Sequence, residues 1–353
     1  MTQLGIVEGY FGAPWSWQAR GFVMRLLASH GYSFFIYAPK ADAFLRRRWR
    51  EPHPDAEMRK LGAFAQACRA ANVRFGVGLS PYEAYLGFDD ATRAALGAKL
   101  AQLDALGVND LAILFDDMKG DISDLAARQA EMMHFVASRT RASRIIFCPT
   151  YYSDDPVLDR AFGKRPDKYL DQLGAALDPA IHVFWTGEEV CSREYSPGHL
   201  SRIADRLKRK VFLWDNYPVN DGARMSQYLH LRGFTGRPAS IGPWLAAHAI
   251  NPALQPVLSC IPALTLAASY AEGNDYAYRA AFRRAAKEVA GEPLATMLDE
   301  DILALQDVGL FRLGERRKTL RARYATIDHP AAREVVAWLD DAYAISDEQV
   351  KTQ

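Results

Sequence analysis

The sequence is poor in the features that announce several protein classes. Its four cysteines, Cys68, Cys148, Cys191 and Cys260, are scattered without a CxxC pair. That spacing argues against a zinc knot or a redox dithiol, and a chain of 353 residues has core enough to stand without a disulfide framework. The formal net charge is only +1, so no overall field draws the chain to nucleic acid or to a membrane surface. No apolar run approaches the ~20 residues that a spanning helix needs. The first residues, MTQLGIVEGYFG, enter a strand-like run without the charged, apolar and small-residue succession of a secretion signal. A cytoplasmic setting is the expectation. The densest basic cluster, RRRWR (Arg46 to Arg50), is short and followed by Glu51, and reads as a solvated loop.

What is present is ordinary globular material, 49% hydrophobic and 24% charged, arranged in a repeating pattern. Short apolar runs occur at 4–9, 33–40, 73–80, 111–117, 144–152, 181–187, 210–216 and 245–252. Segments with helical periodicity lie between them, such as MRKLGAFAQACRAANV and TRAALGAKLAQLDALGV. Near-continuous apolar strands separated by amphipathic helices predict a parallel sheet buried on both faces. Eight such units over about 270 residues match the size of a (β/α)8 barrel. The eighth run, LAAHAINP, also reads as a helix end. From about Asp275 onward DYAYRAAFRRAAKEVAG, EPLATMLDEDILALQDVG and PAAREVVAWLDDAYAIS are helical, with no strand between them. The expected fold is therefore α/β, a TIM-type (β/α)8 barrel over 1–272 with a C-terminal α-helical appendage over 273–353. Those helices are expected to pack on the barrel or on a second subunit.

In such a barrel the C-terminal ends of all eight strands meet on one face, where barrel enzymes carry out their chemistry. These ends carry Glu8-Gly9, Pro39-Lys40, Ser80, Asp116-Asp117, Thr150 with Tyr152, Thr186-Gly187, Asp215-Asn216 and Asn251. The sharpest feature is LAILFDDMKGD, where an apolar run stops at two adjacent carboxylates. Successive strand residues face opposite ways, but at a strand's end both aspartates can reach the mouth. Two carboxylates in one cleft push their pKa values apart, which suits a general acid beside a charge stabiliser, as in glycoside hydrolysis. A Mg²⁺ or Mn²⁺ site with Glu8 as a third carboxylate is the competing use, opposed by the charge of Lys40 and the scarcity of histidine at the strand ends. Trp185 and Trp214 offer flat faces for a sugar, and Asp221 and Asn251 are short polar groups able to fix its hydroxyls.

The ordered stretches GIVEGYFGAPWSWQAR, YAPKADAF with WRE after it, LFDD, FCPTYY, WTGEEVCS, WDNYPVND and INP strongly resemble the catalytic domain of glycoside hydrolase family 84. That family contains β-N-acetylglucosaminidases, including protein O-GlcNAcases. The resemblance implies a retaining, metal-independent and cofactor-free hydrolase of terminal β-linked GlcNAc on glycoproteins, glycopeptides or small glycosides. It also implies substrate-assisted catalysis, in which the substrate's 2-acetamido oxygen attacks C1 to give an oxazoline. Asp116 would then polarise the acetamide N–H, and Asp117 would act as general acid and then base. Gly9 would lend backbone contact and Lys40 a hydrogen bond to a ring hydroxyl. Tyr152, Trp214 and Asn216 would enclose the acetamide, and Asp221 and Asn251 would bind hydroxyls on the far side. The C-terminal helices resemble a region that takes part in dimerisation in some relatives, so a homodimer through them is a further expectation. Two departures fall near the leaving-group side: Gly222 stands where many relatives have an aromatic residue, and Tyr82 where SPG is usual. A catalytically silent GlcNAc-binding barrel and a metal-dependent barrel enzyme remain the alternatives.

Overall fold

The computed structural model describes residues 2–353. Eight parallel strands close a barrel in chain order: β1 Leu4–Glu8, β2 Tyr32–Tyr37, β3 Arg74–Leu79, β4 Asp110–Leu114, β5 Arg144–Cys148, β6 His182–Trp185, β7 Val211–Asp215 and β8 Leu245–Ile250. Closure is made by β1 against β8, with Leu4 opposite His248 and Ile6 opposite Ile250. The eighth run is thus a strand. Every apolar run extends past the end of its strand, because the chain stays buried beyond the last ladder pair. Phe115, Tyr151 and Tyr152, all outside the strands, are buried.

Around the barrel lie α1 (Trp17–Ala28), α2 (Asp55–Ala70), α3 (Asp90–Asp104), α4 (Leu125–Arg139), α5 (Pro156–Phe162), α6 (Tyr169–Ala176), α7 (Pro197–Leu207), α8 (Gly222–Met225) and α9 (Pro256–Glu272). Local caps start several of them. Ser16 accepts from the Ala19 N–H and Asp89 from the Thr92 N–H, satisfying donors that a first turn leaves free. After α9 come α10 (Tyr278–Ala290), α11 (Glu292–Leu303), α12 (Arg316–Tyr324), α13 (Pro330–Leu339) and α14 (Asp347–Thr352). Helix α10 lies along α9, α11 along α10, and α13 reaches back to α9. The Arg-rich α12 is not visible as an apolar pattern, since only Leu320 and Tyr324 of it are buried. The region expected as one helix from Glu292 widens to a π-turn over Ala304–Val308.

Inside the barrel an aromatic column rises toward the C-terminal face. Phe34 meets Phe212 edge-on at 5.5 Å, Phe212 meets Phe184 at 4.9 Å, and Phe184 meets Trp214 at 5.0 Å. Edge-to-face pairs of this kind are favourable beyond the area they bury. On β7 the alternation that turns Phe212 inward turns Trp214 and Asn216 inward too. Trp214 is the top of a packed stack, held by the layers beneath it.

The basic run is not the solvated loop that its composition suggests. Arg47, Arg48 and Arg50 are exposed, but Arg46 is 3% and Trp49 1% exposed. Asp42 folds this segment by accepting from the Phe44 N–H at 3.1 Å, and the Leu45 carbonyl accepts from the Ser80 N–H at 2.7 Å. The bend turns one arginine and the tryptophan inward while the others face water.

Candidate active site

The C-terminal mouth of the barrel holds a cavity of about 160 Å³, smaller than the ~300–1,000 Å³ of pockets for drug-sized ligands. Its lining includes Gly9, Lys40, Asp116, Asp117, Tyr152, Trp214, Asn216, Asp221 and Asn251. All nine residues picked from the strand ends and the motifs therefore meet at one place. Most follow from strand alternation. Lys40 lies six residues after the inward Phe34, Tyr152 four after the lining Cys148, and Asn216 two after Trp214, each at even spacing.

Asp117 breaks this parity, and its backbone explains how. The chain leaves β4 after Leu114, and Asp117 sits at φ 59°, in the left-handed region. That conformation costs an ordinary L-residue ~1–2 kcal/mol, and aspartate is among the few side chains that tolerate it. The turn swings Asp117 back onto the face that Asp116 already occupies. Backbone strain of this kind gathers at functional sites.

The two carboxylates have different surroundings. Asp116 Oδ2 is ion-paired with Lys40 Nζ, whereas Asp116 Oδ1 is buried with no hydrogen-bond partner. Asp117 Oδ1 accepts from the Tyr152 hydroxyl at 3.3 Å. Burial first, then the neighbouring charge of Asp116, push Asp117 above the usual carboxylate range, against the pull of Lys40, Arg46 and the Tyr152 hydroxyl. The pair is thus divided into a lysine-bound carboxylate and one that favours its proton.

The opposite wall is a hydrogen-bonded relay. The Val190 carbonyl accepts from Asn216 Nδ2 at 2.8 Å, and Asn216 Oδ1 accepts from Asn251 Nδ2 at 3.0 Å. Asn251 Oδ1 in turn accepts from the Gly9 N–H at 3.3 Å. Asp221 Oδ2 accepts from the Phe11 N–H at 2.8 Å; burial pushes this carboxyl up to about 6, the charge of Asp117 adding to the effect and the Phe11 N–H opposing it. Trp214 Nε1 is buried without a partner. A Cβ at Gly9 would lie 2.3 Å from Trp214 Cζ2, so the missing side chain makes room for the indole that forms the pocket wall.

Other residues named from the sequence fall elsewhere. Glu8 is held by Arg20 at 2.7 and 2.8 Å and by the Tyr10 hydroxyl at 3.0 Å. It is therefore a structural carboxylate between β1 and α1, committed to partners that a metal site with the Asp pair would need removed. Among the described residues no three His, Cys, Asp or Glu side chains group as metal ligands do. Trp185 is fully buried and donates to His199 Nε2 at 3.0 Å, so it belongs to the packing between barrel and helices. Reading by strand ends missed Phe11, Cys148, Val190, Cys191 and Val219 in the lining. All five lie inside motif stretches, but as apolar or thiol side chains they carry no polar signal.

Known proteins resemble this chain in sequence and in fold. A family model described as beta-N-acetylglucosaminidase matches residues 4–305. The protein O-GlcNAcases of Mus musculus and Rattus norvegicus are each 28% identical over 275 residues, covering 75% of this chain and 30% of their own. The chain thus spans about 30% of the length of the curated relatives it matches. A solved mutant form of the O-GlcNAc hydrolase of Thermobaculum terrenum is similar with a TM-score of 0.80 at 27% identity, covering 96% of this chain and 80% of that one. With the closed eight-stranded barrel and the family model in accord, the chain belongs to the beta-N-acetylglucosaminidase family of glycoside hydrolases.

Proposed function

We propose that the protein hydrolyses terminal β-linked N-acetylglucosamine from a glycoconjugate with retention, the substrate's own acetamide serving as nucleophile. The observation that carries this reading is the Asp116–Asp117 pair: two adjacent carboxylates on one side of a sugar-sized cavity, in different electrostatic states. A double displacement with an enzyme nucleophile places two carboxylates on opposite sides of the scissile bond, about 5–5.5 Å apart. Adjacent residues on one turn suit a reaction in which the substrate brings the attacking atom.

In this mechanism the acetamide oxygen attacks C1 while Asp117 delivers its proton to the departing oxygen. The unpartnered Asp116 Oδ1 accepts from the acetamide N–H as that nitrogen becomes positive. Lys40 keeps Asp116 in place. Asp117, now a carboxylate, takes a proton from water, which opens the oxazoline and restores the β-configuration. An intramolecular nucleophile has an effective molarity of ~10⁵ M or more, and its place is fixed by Tyr152, Trp214 and Asn216 around the acetamide. Asp221 and Asn251 bind hydroxyls across the ring.

The test is hydrolysis of an aryl β-N-acetylglucosaminide with and without a chelator. Turnover that the chelator leaves unchanged is the expected result. Turnover abolished by it would indicate a metal-dependent enzyme, and binding without turnover a silent sugar-binding barrel.

A further inference from the structure

Arg46 is a buried cation to which the mechanism above gives no part. It is 3% exposed, and its Nε and Nη1 are sealed from solvent without any acceptor. The ring of Tyr82 offers it a face, its centroid 5.4 Å from the guanidinium carbon. A guanidinium that gives up water without gaining an acceptor is costly, and the face of one ring recovers only part of that cost. Such an orphaned donor calls for a reason.

Its location supplies one. The Leu45 carbonyl bonds the Ser80 N–H at 2.7 Å, which fixes Arg46 against the end of β3. The neighbouring strand is β4, whose end is the Asp pair. Tyr85, in the loop after β3, packs edge-on against Phe115 at 5.1 Å and bonds the Lys119 carbonyl, bracketing the two aspartates. Lys40 thus lines the mouth with the carboxylates Asp116, Asp117 and Asp221, and Arg46 is a second buried cation behind the lining, at the end of β3. Lys40 is in contact with Asp116, whereas the direct partner of Asp117 is a neutral hydroxyl, that of Tyr152.

We infer that Arg46 is a positioning residue for Asp117, a standing countercharge that Asp117 needs only after it has given up its proton. The inference rests on the reading of Asp117 as the general acid and base. In the first step the Asp117 proton goes to the glycosidic oxygen, the C1–O bond breaks and the acetamide oxygen bonds to C1. This leaves Asp116 paired with Lys40 and facing the positively charged oxazolinium, while Asp117, newly anionic, has no cation in direct contact; Arg46 is the countercharge behind it until Asp117 takes a proton from water. The charged and titratable groups around Asp117 are Asp116 on the same turn, Lys40 and Arg46 from the loop after β2, Cys148 at the end of β5 and Tyr152 beyond it, and Asp221 beyond β7. Of these only Lys40 and Arg46 are cations, and both favour the carboxylate. Tyr82, one of the departures from the family pattern, is the platform: Arg46 and Arg47 both lie over its ring, Arg47 at 3.7 Å.

The experiment is the pH profile of kcat/KM on methyl β-N-acetylglucosaminide, whose poor leaving group requires the acid, for wild type, Arg46→Met and Arg46→Lys. Removing the cation is expected to move the basic limb of the profile up by about one unit, as loss of a nearby opposite charge does. Arg46→Lys is expected to bring it most of the way back. An unmoved limb in Arg46→Met, whatever the fall in rate, would overturn the inference and leave Arg46 a packing residue. If Arg46→Met does not fold, Arg46→Gln, with donors but no charge, carries the same comparison. Failure of the underlying reading is distinguishable: an Asp117→Ala variant fully active on the methyl glycoside would show that Asp117 is not the acid, and Arg46 would lose its proposed role with it.

Discussion

At the scale of the residue, the Asp pair separates two kinds of help that a glycosidase gives. Protonating the departing oxygen matters only when the leaving group is poor, so Asp117→Ala is expected to cost kcat/KM little on a dinitrophenyl glycoside. On an alkyl or peptide-linked one it is expected to cost ~10²–10⁴-fold, the usual worth of general acid catalysis. Asp116 acts on the acetamide, which every substrate must close, so Asp116→Ala is expected to lower kcat/KM for all leaving groups alike. Azide is expected to rescue only the Asp117 variant and to yield β-glycosyl azide. A steeper leaving-group dependence in Asp116→Ala would reverse the two roles. The raised pKa of Asp117 also sets a sign: its proton is retained above the usual carboxylate range and lost as pH rises further. Activity on poor leaving groups is therefore expected to fall along that limb. The pair was legible in the sequence as two carboxylates ending an apolar run. The left-handed turn at Asp117 and the Lys40–Asp116 contact were not, since both come from how neighbouring strands meet.

At the scale of the element, the barrel was legible because each strand is buried on both faces and so reads as an apolar run. Strand ends were harder to place, because the loops at the mouth stay apolar after the hydrogen-bond ladder stops. Capping across distant segments was invisible. The residue before helix α9, Gln255, makes no side-chain cap; the helix's first free donors are met instead by Glu334 of α13. Glu334 Oε1 accepts from the Val257 N–H and Oε2 from the Leu258 N–H, both at 2.9 Å. No local pattern announces a cap supplied from so far along the chain. With the packing of α10 along α9, it ties the helical appendage to the last helix of the barrel. Glu334→Ala leaves two buried N–H groups unpaired at ~1–3 kcal/mol each, so a loss of about 2–6 kcal/mol in chemical denaturation is expected. Faster hydrogen exchange at Val257 and Leu258 should accompany it. A change within ~0.5 kcal/mol would show that α9 does not depend on this cap.

At the scale of the whole molecule, the closed barrel turns eight separate strand ends into one cavity. The aromatic column from Phe34 to Trp214 gives that cavity a rigid wall, and the C-terminal segment reaches the same face. Gln353 Oε1 accepts from the Gly12 N–H, and Arg47 Nη2 donates to the Lys351 carbonyl, each at 2.8 Å. What most directly tests the account is whether the substrate supplies the nucleophile. The measurement is kcat/KM for one aryl leaving group carried by β-N-acetylglucosamine and by β-glucose, which has a 2-hydroxyl in place of the acetamide. The account predicts that the glucoside is almost inert, and that a thiazoline mimic of the oxazoline binds far more tightly than substrate. Comparable turnover of the two glycosides would contradict it.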